Sequence, residues 1–521
     1  MKIKVAHKYV LLPIKKWSTS KKLKFFDGDN EVMRLESLGL DGFSPDYYAY
    51  VDISRFMGRE LTLKVEPQMD FQVKFSDEMD IPELYSEERR PKAHFSPRVG
   101  YMDHPCGVAY LNGKYHLFFQ HNPADTHLGF GNNHWGHATS TDLIHWEEGD
   151  AILFPDSAGG AMGGSVLIDE RNELMLSDGG DAALIYYKRS NDGPINFAVS
   201  TDGFKTVELM PEPINSEFEG YCMCPKAIWC EELKKYLMTV FVHFGRHILL
   251  ASDDLLSWSQ LQIINMRGVS ESADLFPITA DDGKRKWVFM GRVTYYVGDM
   301  TEKGFCNTQD REILSIGSTN FGGQIVNTPD GRTVRLDNAK WYEYYATSFG
   351  GQLTTPVELS LRLVNGVYTI YAAPIREFAS LFEEKRIESA FSVKANEPYT
   401  IKLEPKAHMI RICSDRPTEG KMVIRVFGMW LHIDFEEDEM HFGTDVLPIS
   451  RSPYDTFDMT IITDRCSIEF YFHGGKRYAV YSDTYTISDY NLSSIIIDST
   501  RDLHFGRVEI TPLKSIWEDK K

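Results

Sequence analysis

The segment from His94 to Trp146 carries the clearest signal of the fold and reads HFSPRVGYMDHPCGVAYLNGKYHLFFQHNPADTHLGFGNNHWGHATSTDLIHW. Its aromatic and β-branched residues, interrupted by Gly, Asn, Asp and Pro, are typical of short strands joined by turns. The closing turn, STDLIHW, is echoed by STDGF at 200–204 and by SDDLLSW at 252–258. A repeat of about 50 to 60 residues with several strands in each unit is typical of propeller blades. Three similar hairpin turns in an unrelated β-fold are the alternative.

Over the whole chain, the strand pattern indicates three parts. Residues 1–80 contain short segments such as KKLKFFDG and RELTLKVEP, which predict a small N-terminal β-module. Residues 90–350 hold the repeat and predict the propeller. From 351 to 521, longer alternating strands such as VELSLRLV, VYTIYAAP and KMVIRVFG predict a C-terminal β-sandwich, and only IREFASLFEEK, near 375–385, predicts a helix. The predicted fold class is therefore all-β.

The composition limits the partners and the compartment. The net charge is −19 at pH 7 with no basic block, which argues against nucleic acid and anionic membranes as partners. The apolar run YVLLPI near the N-terminus is weak as a signal-peptide core, and no stretch is long enough to span a bilayer. Seven cysteines, an odd number without a small-domain framework, favour reduced thiols. We therefore expect a cytoplasmic protein, although a chain trimmed of its leader would look similar.

Six motifs occur in the order and spacing of one enzyme family: HFSPRVGYMDHPCG, YHLFFQHNP, HWGHATSTDLIHWEE, PKAIW, ESADLFP and the closing VEITPLKSIW. In these motifs the chain resembles glycoside hydrolase family 32, which contains invertases, levanases and inulinases. The resemblance covers residues 90–300 well and the terminal sandwich more loosely. It implies a five-bladed β-propeller followed by a β-sandwich, and the N-terminal module resembles one found ahead of some bacterial members.

The chemistry that the resemblance implies is retaining hydrolysis of β-fructofuranosides by two carboxylates, an aspartate nucleophile and a glutamate acid/base. The nucleophile motif WMNDPNG reads YMDHPCG at 101–107, so His104 stands in the nucleophile's place and Asp103 in that of a substrate-contacting asparagine. The acid/base motif WECPDLF reads SESADLF at 270–276 and keeps its glutamate as Glu271. The resemblance therefore implies catalysis by Glu271 together with His104 or Asp103.

The surrounding motifs imply a sugar pocket with an altered floor. The family's RDP motif, whose aspartate grips fructosyl hydroxyls, reads MCP at 223–225 and is followed by a lysine. A phenylalanine replaces the tryptophan of the pocket wall, whereas a glutamine and a second tryptophan are kept. The residues that we expect to hold an oligosaccharide or small sugar are Gln120, Phe130, Trp135, Cys224 and Lys226.

His104 allows three interpretations. It fills space as a relic, acts as a general acid or base near neutral pH, or binds a metal. Zinc is the metal alternative, because both altered motifs line one pocket in the family and would bring His, Cys and Glu side chains together. Reduced cysteines are also common small core residues, and the spacings are not those of standard zinc motifs, so we expect no cofactor. The zinc ligands would be His104, Cys106, Cys222, Cys224 and Glu271.

The loss of the aspartate also changes the ionisation that we expect of Glu271. An ionised aspartate nearby helps to keep the acid/base protonated, so its replacement by histidine is expected to make Glu271 ionise more readily. Glu271 would then be a better base and a poorer acid. Alternatively, Asp103 and Glu271 form a displaced, inverting pair with water as the nucleophile. The structural alternative for Glu271 is an exposed glutamate on a loop.

Two functions follow from these observations. The first is a glycosidase that hydrolyses a β-fructofuranoside or related furanoside, with His104, Cys224 or Asp103 replacing the lost carboxylates. The second is a catalytically inactive carbohydrate-binding or regulatory protein on the same scaffold, favoured by the loss of two of the three defining carboxylates. Turnover that depends on Glu271 would distinguish the two.

Overall fold

The computed structural model describes the chain apart from residues 17, 126–129, 178–181, 217, 219, 244, 318–322, 340–347, 416–418, 427–428, 443–444, 450–455, 483–493 and 519–521, and apart from the side chains of residues 130 and 415. Nearly all regular structure in the described residues is β-strand, which confirms the predicted fold class. The 3-10 helices of this part are short: Ser54–Phe56, Phe130–Asn132, Arg376–Leu381 and His473–Gly475. No helix in the described part of the chain is long and apolar enough to cross a membrane.

The N-terminal module consists of two small antiparallel sheets that share one apolar core. In Glu60–Glu66 every second residue is buried, which is the alternation expected of a strand with one covered face. The module contacts the propeller, where the backbone N–H of Glu36 donates to Asn132 Oδ1 at 2.5 Å. In sheet order, the strands are Lys2–Lys4, Glu60–Glu66, Lys21–Asp27 and Asn30–Leu38, and then Tyr47–Asp52, Tyr9–Ile14 and Lys74–Ser76.

Five sheets of the described chain form a five-bladed propeller. The innermost strands of neighbouring blades contact one another, and the fifth contacts the first, so the blades close a ring. The four main strands of each blade, from the inside outward, are Gly100–Leu111, Lys114–Asn122, His134–Ser140 and Glu147–Glu148; Gly164–Ile168, Ala183–Lys188, Ile195–Ser200 and Glu208–Leu209; Met223–Cys230, Lys235–His243, Arg246–Ser252 and Ser257–Asn265; Asp274–Thr279, Arg285–Met290, Thr294–Thr301 and Gly304–Asn307; and Gln324–Asn327, Thr333–Leu336, Val357–Val364 and Val367–Pro374.

Short strands extend these blades. Phe349–Gly350 pairs in parallel with the start of the innermost strand of blade one. Asn215–Ser216 joins the outer edge of blade three in parallel, and Glu312–Ile313 pairs with the third strand of blade four. Asn338–Ala339 and Gln352–Leu353 form a separate pair.

The repeated turn of the sequence joins the third strand to the fourth in blades one, two and three. In blade one, the Ser140 hydroxyl accepts the N–H of Leu143 at 2.9 Å, and Trp146 Nε1 donates to the Leu143 carbonyl at 3.0 Å. The same two bonds recur in segment 252–258 at 2.9 and 3.0 Å. The repeat therefore marks one position in successive blades, and the propeller prediction is confirmed.

The sandwich begins later than predicted. Val357–Val364 and Val367–Pro374, which the sequence analysis assigns to the sandwich, pair with Thr333–Leu336 and complete blade five. The predicted boundary at residue 350 therefore falls inside that blade, and the predicted helix near 375–385 is only the 3-10 helix Arg376–Leu381. The physical reason is that an outer blade strand and a sandwich strand are both antiparallel and bury one face, so their sequences alternate in the same way.

Two larger sheets pack their apolar faces together as the C-terminal sandwich. Their burial alternates along strands such as Lys421–Val426, as expected for a sheet with one face in the core. The strands in sheet order are Ser315–Gly317, Arg477–Ser482, Ser467–Phe472, Thr456–Thr463, His408–Asp415, Leu503–Pro512 and Arg386–Val393, and then Tyr399–Lys402, Ser494–Ser499, Lys421–Val426, Met429–Asp434, Glu439–Phe442 and Asp445–Pro448.

A buried ionic cluster joins the propeller to the sandwich. His94 Nδ1 lies 2.8 Å from Asp464 Oδ2, and His94 Nε2 lies 3.3 Å from Glu469 Oε1 and 3.0 Å from Thr355 Oγ1. Burial alone would lower the pKa of His94, but hydrogen bonds and charge from Asp464 and Glu469 raise it to about 9. The histidine is therefore charged at neutral pH and compensates two buried carboxylates.

Candidate active site

A cavity of about 460 Å³ opens at one end of the propeller, where the innermost strands of blades one to four begin. Blade one supplies two neighbouring residues of its innermost strand and one from its second strand. The other residues come from the segment ahead of blade two, from the end of the second strand of that blade, and from the starts of blades three and four. The lining consists of Asp103, His104, Gln120, Met162, Gly163, Lys188, Asn191, Tyr221, Met223, Cys224 and Glu271.

A β-bulge brings Asp103 and His104 to the same cavity. Neighbouring residues of a regular strand point to opposite faces. The pairing of Gly100–Leu111 with the next strand shifts between Met102 and Pro105 and again before Gly107. Such a shift re-aims side chains. Both Asp103 and His104 are buried and line the cavity for this reason.

The His104 imidazole carries a proton at neutral pH. Its Nδ1 lies 3.3 Å from Asp103 Oδ2. Burial alone would lower the pKa of His104, but hydrogen bonding and charge from Asp103 and Cys224 raise it to about 10. A protonated imidazole has no free lone pair, so it neither attacks carbon nor accepts a proton. It acts as a hydrogen-bond donor and a positive charge, paired with the Asp103 carboxylate.

Cys224 and His104 meet beside Gly163. A Cβ at position 163 would lie 2.9 Å from His104 Nε2, 3.2 Å from Cys224 Sγ and 3.5 Å from Gln120 Nε2. Cys224 lies within a second bulge, where the pairing of Met223–Cys230 with the next strand shifts. Its φ of 49° is in the left-handed region, which a side chain other than glycine adopts at a cost in energy. The glycine therefore leaves room for three polar side chains to converge on one point.

Glu271 is half-buried on the segment ahead of blade four. It lines the cavity and is followed by Ser272, which is buried and has a φ of 54°. Burial and then the charge of Glu271 raise the pKa of Tyr221, which places the phenol near this carboxylate. The glutamate of the altered acid/base motif thus faces the same space as Asp103, His104 and Cys224, rather than lying on an exposed loop.

Lys226 does not line the cavity, which corrects the role predicted for it. Its buried ammonium donates to the Ser272 carbonyl at 2.8 Å, to Asp274 Oδ1 at 2.9 Å and to the Gly323 carbonyl at 2.6 Å. An ammonium has three donors, and these acceptors use all of them. Burial raises the pKa of Asp274, and the charge of Lys226 opposes that rise. Lys226 therefore stabilises the core between blades.

Trp135 and Phe130, two aromatic residues expected to hold the sugar, lie on blade one or just ahead of its third strand. Trp135 is fully buried, and its Nε1 donates to the Met162 carbonyl at 2.9 Å. It therefore supports the segment that carries Gly163 instead of lining the cavity itself. Phe130 begins the 3-10 helix Phe130–Asn132, but its side chain lies outside the described part of the chain. Gln120 lines the cavity and accepts from Asn133 Nδ2 at 3.2 Å.

The zinc alternative finds no support in the described residues, among which no group of three or more His, Cys, Asp or Glu side chains is arranged to hold a metal ion. Cys106 is fully buried, and burial raises its pKa well above the usual value of a thiol. Cys222 Sγ lies 3.2 Å from Lys188 Nζ. Neither of these two thiols lines the cavity.

Sequence reasoning missed Lys188, Asn191, Tyr221 and the segment Met162–Gly163. Lys188 ends an otherwise apolar strand, ALIYYK, and is buried with its ammonium bonded to the Gly193 carbonyl. A lysine that closes a buried strand is a signal that could have pointed to the cavity. For Met162–Gly163 the sequence offers no comparable signal, since its role depends on which residues the bulges bring near it.

The chain is similar to known proteins in sequence and in fold. The family model described as "Glycosyl hydrolases family 32 N-terminal domain" matches residues 94–366. A levanase from Bacillus subtilis (strain 168) is 31% identical over 260 residues, which are 45% of this chain and 37% of the relative. A fructan beta-fructosidase from Streptococcus mutans is 26% identical over 527 residues, which are 89% of this chain and 35% of the relative. The chain thus spans little more than a third of the length of these bacterial relatives.

An invertase from Schizosaccharomyces pombe is 23% identical over 512 residues, which are 83% of this chain and 86% of the relative. This match covers more of the relative than the two bacterial matches do. Among solved structures, an exo-inulinase from Aspergillus awamori superposes with a TM-score of 0.72 at 19% identity, over 83% of this chain and 100% of that one. A fructofuranosidase from Schwanniomyces occidentalis, complexed with fructose, gives 0.71 at 20% identity, over 84% and 100%. At these identities the structural likeness shows a common fold.

Proposed function

Because the chain belongs to glycoside hydrolase family 32, we propose that it hydrolyses a β-fructofuranoside or a related furanoside in the cavity beside Glu271. The observation that carries the proposal is the position of Glu271. It is half-buried and lines the same cavity as Asp103, His104 and Gln120. It is also the one of the family's three defining carboxylates that this sequence keeps.

Glu271 acts as the acid/base. It gives a proton to the oxygen that leaves the anomeric carbon, and its carboxylate then takes a proton from the attacking water. Gln120 and Lys188, which also line the cavity, offer an amide and an ammonium to the sugar hydroxyls. The cavity volume of about 460 Å³ suits a small sugar.

His104 and Asp103 act together at the position of the family's nucleophile. An isolated cation there would oppose the positive charge that develops on the sugar ring in the transition state. The Asp103 carboxylate, 3.3 Å from His104 Nδ1, offsets that charge. The pair therefore presents a nearly neutral, hydrogen-bonding floor to the sugar.

The second candidate is a catalytically inactive sugar-binding or regulatory protein. It is favoured by the two altered motifs, YMDHPCG at 101–107 and MCP at 223–225, which lack the aspartates found in the family. Under this hypothesis the cavity binds a sugar without cleaving it, and Glu271 serves only as a hydrogen-bond acceptor.

Product release from a panel of sugars tests the proposal. The panel contains sucrose, 1-kestose, inulin, levan, arabinofuranosides and difructose anhydrides. We expect turnover of at least one member, and Glu271→Gln should lower kcat by about 100-fold or more, since general acid–base catalysis contributes about 10² to 10⁴.

Glu302→Gln is the matched control, because Glu302 is exposed in the turn between two outer strands of blade four. It should leave turnover unchanged. Binding of a panel sugar by calorimetry, without any product, would instead establish the inactive binding protein. Turnover that survives Glu271→Gln would remove Glu271 from the reaction.

A further inference from the structure

We propose that Cys224 is the nucleophile of this reaction, and that His104 and Asp103 are positioning residues that orient its sulfur toward the sugar. The inference rests on the proposed hydrolysis and names the group that takes the place of the missing aspartate. A histidine occupies the family's nucleophile position, and the neighbouring Asp103 carboxylate is paired with that histidine, so the replacement is sought on another element that lines the cavity. Cys224, on the innermost strand of blade three, is such a residue.

The geometry brings a thiol, an imidazole and a carboxylate into one chain of contacts. Cys224 Sγ and His104 Nε2 lie on the same side of Gly163, at 3.2 and 2.9 Å from the position of a Cβ there. The other ring nitrogen, His104 Nδ1, lies 3.3 Å from Asp103 Oδ2. A carboxylate at Nδ1 fixes the orientation of the ring, and the influence of Cys224 on the pKa of His104 places the sulfur close to that ring. This is the arrangement by which a cysteine nucleophile is activated.

The charge on His104 favours this assignment. Its raised pKa, about 10, keeps the ring protonated through the neutral range. An imidazolium beside a thiol stabilises the thiolate, which is the nucleophilic form. Cys224 and His104 are both buried, and burial strengthens the electrostatic interaction between an imidazolium and a sulfur that becomes negative.

Cys224 differs from its neighbouring cysteines. Cys106 and Cys222 are also buried, but neither lines the cavity, and each has a pKa raised by burial above the usual value of a thiol. Cys224 reaches the cavity because it lies in a bulge with a φ of 49°. A left-handed residue other than glycine at a ligand cavity is typical of a functional position.

The two steps balance without an oxidant or reductant. The Cys224 thiolate attacks the anomeric carbon, a C–S bond forms, the bond to the leaving oxygen breaks, and Glu271 gives that oxygen its proton. Water then attacks the same carbon while the Glu271 carboxylate takes its proton, a C–O bond forms, and the C–S bond breaks to return the thiolate. Two displacements at one carbon retain its configuration.

Other charged groups line the same cavity as Cys224. Lys188 of blade two adds a second positive charge at the cavity, whereas Glu271 adds a negative one when it is ionised. The titratable groups that face Cys224, or lie close by in the core, are Asp103, His104, Cys106, Lys188, Tyr221, Cys222, Lys226 and Glu271.

Alkylation by iodoacetamide tests the reactivity of Cys224 directly on the full chain. Rates at individual cysteines are followed by peptide mass spectrometry between pH 5.5 and 9. We expect Cys224 to react about tenfold faster than the exposed Cys306 at pH 6. In His104→Gln, Cys224 should lose this advantage and react no faster than Cys306 at pH 6. A Cys224 that reacts no faster than Cys306 at pH 6 overturns the proposal.

Turnover and trapping test the nucleophile. Cys224→Ser should lower kcat by about 1,000-fold or more, whereas Cys306→Ser, at an exposed thiol, should not change it. Rapid quenching with substrate should leave one sugar residue on the peptide that contains Cys224, and NMR should show a product of retained configuration. Inversion, or full activity of Cys224→Ser, overturns this proposal alone. If the wild type turns over no member of the panel, the proposed function fails with it.

Discussion

Gly163 leaves space at the place where the side chains of His104 and Cys224 come together. Its backbone conformation is one that alanine also adopts, but the added Cβ would lie 2.9 Å from His104 Nε2, which is too close for either to stay in place. We expect Gly163→Ala to fold with an unfolding free energy within about 1 kcal/mol of the wild type. Its kcat should fall about 10- to 100-fold, because a displacement of a few tenths of an ångström disturbs the reacting groups.

Gly506→Ala is the matched control for this substitution. A Cβ at Gly506 has no heavy atom within 4 Å, and the residue is exposed on the last strand of the sandwich. Chemical denaturation and turnover of the panel sugars should both be unchanged there. A Gly163→Ala variant with wild-type kcat would show that the space between His104 and Cys224 is not used in the reaction.

The substitution Lys226→Met distinguishes a structural role of this lysine from a role in binding the substrate. The substitution removes three internal hydrogen bonds and leaves Asp274 buried without its cation. We expect a loss of about 3 to 5 kcal/mol in the free energy of unfolding, measured in urea. Adding Asp274→Leu should recover part of that loss, and the exposed Lys234→Met should cause almost none. Unchanged stability with a raised KM would restore the role predicted from the sequence.

Lys226 and Cys224 show that the order of the motifs predicts where a residue lies in the fold but not which way its side chain faces. Motif order places both at the start of blade three, and both are buried there. Only the bulge decides which of the two faces the cavity. The sequence indicates a bulge weakly, because neither residue is glycine and the left-handed conformation of Cys224 has no sequence signal. The roles of the residues in the cavity remain predictions.

At the scale of the element, the turns were more predictable than the strands. The turn segments 140–146 and 252–258 have Ser and Asp at fixed offsets, and each side chain bonds to backbone N–H groups two or three residues later. Because such an interaction involves only a few neighbouring residues, a short sequence motif is enough to predict it. By contrast, Val357–Val364 belongs to blade five because of its partner Thr333–Leu336, more than 20 residues earlier in the chain. Alternation along one strand cannot identify a distant partner.

At the scale of the whole molecule, the cluster around His94 holds the propeller and the sandwich together. Asp464 accepts backbone N–H groups of Lys92 and Ala93, each at 2.8 Å, and also contacts the His94 ring. Burial tends to raise the pKa of Asp464 and of Glu469, but His94 and hydrogen bonds lower both. The propeller and the sandwich therefore depend on one shared cation, and the stability of the whole chain should follow its protonation.

The pH dependence of unfolding tests that coupling. The pKa of His94 is raised from 6.5 to about 9, so its contribution is complete below pH 6.5 and is lost as the pH rises through about 9. The lowered pKa values of Asp464 and Glu469 give a contribution that is lost on acidification instead. We expect His94→Gln to lower the free energy of unfolding by about 3 kcal/mol at pH 6, measured in urea, and by much less at pH 10. His7→Gln, at an exposed histidine that contacts Asp77, should show no such change. A His94→Gln effect of equal size at both pH values would mean that packing, and not the charge of the ring, joins the two domains.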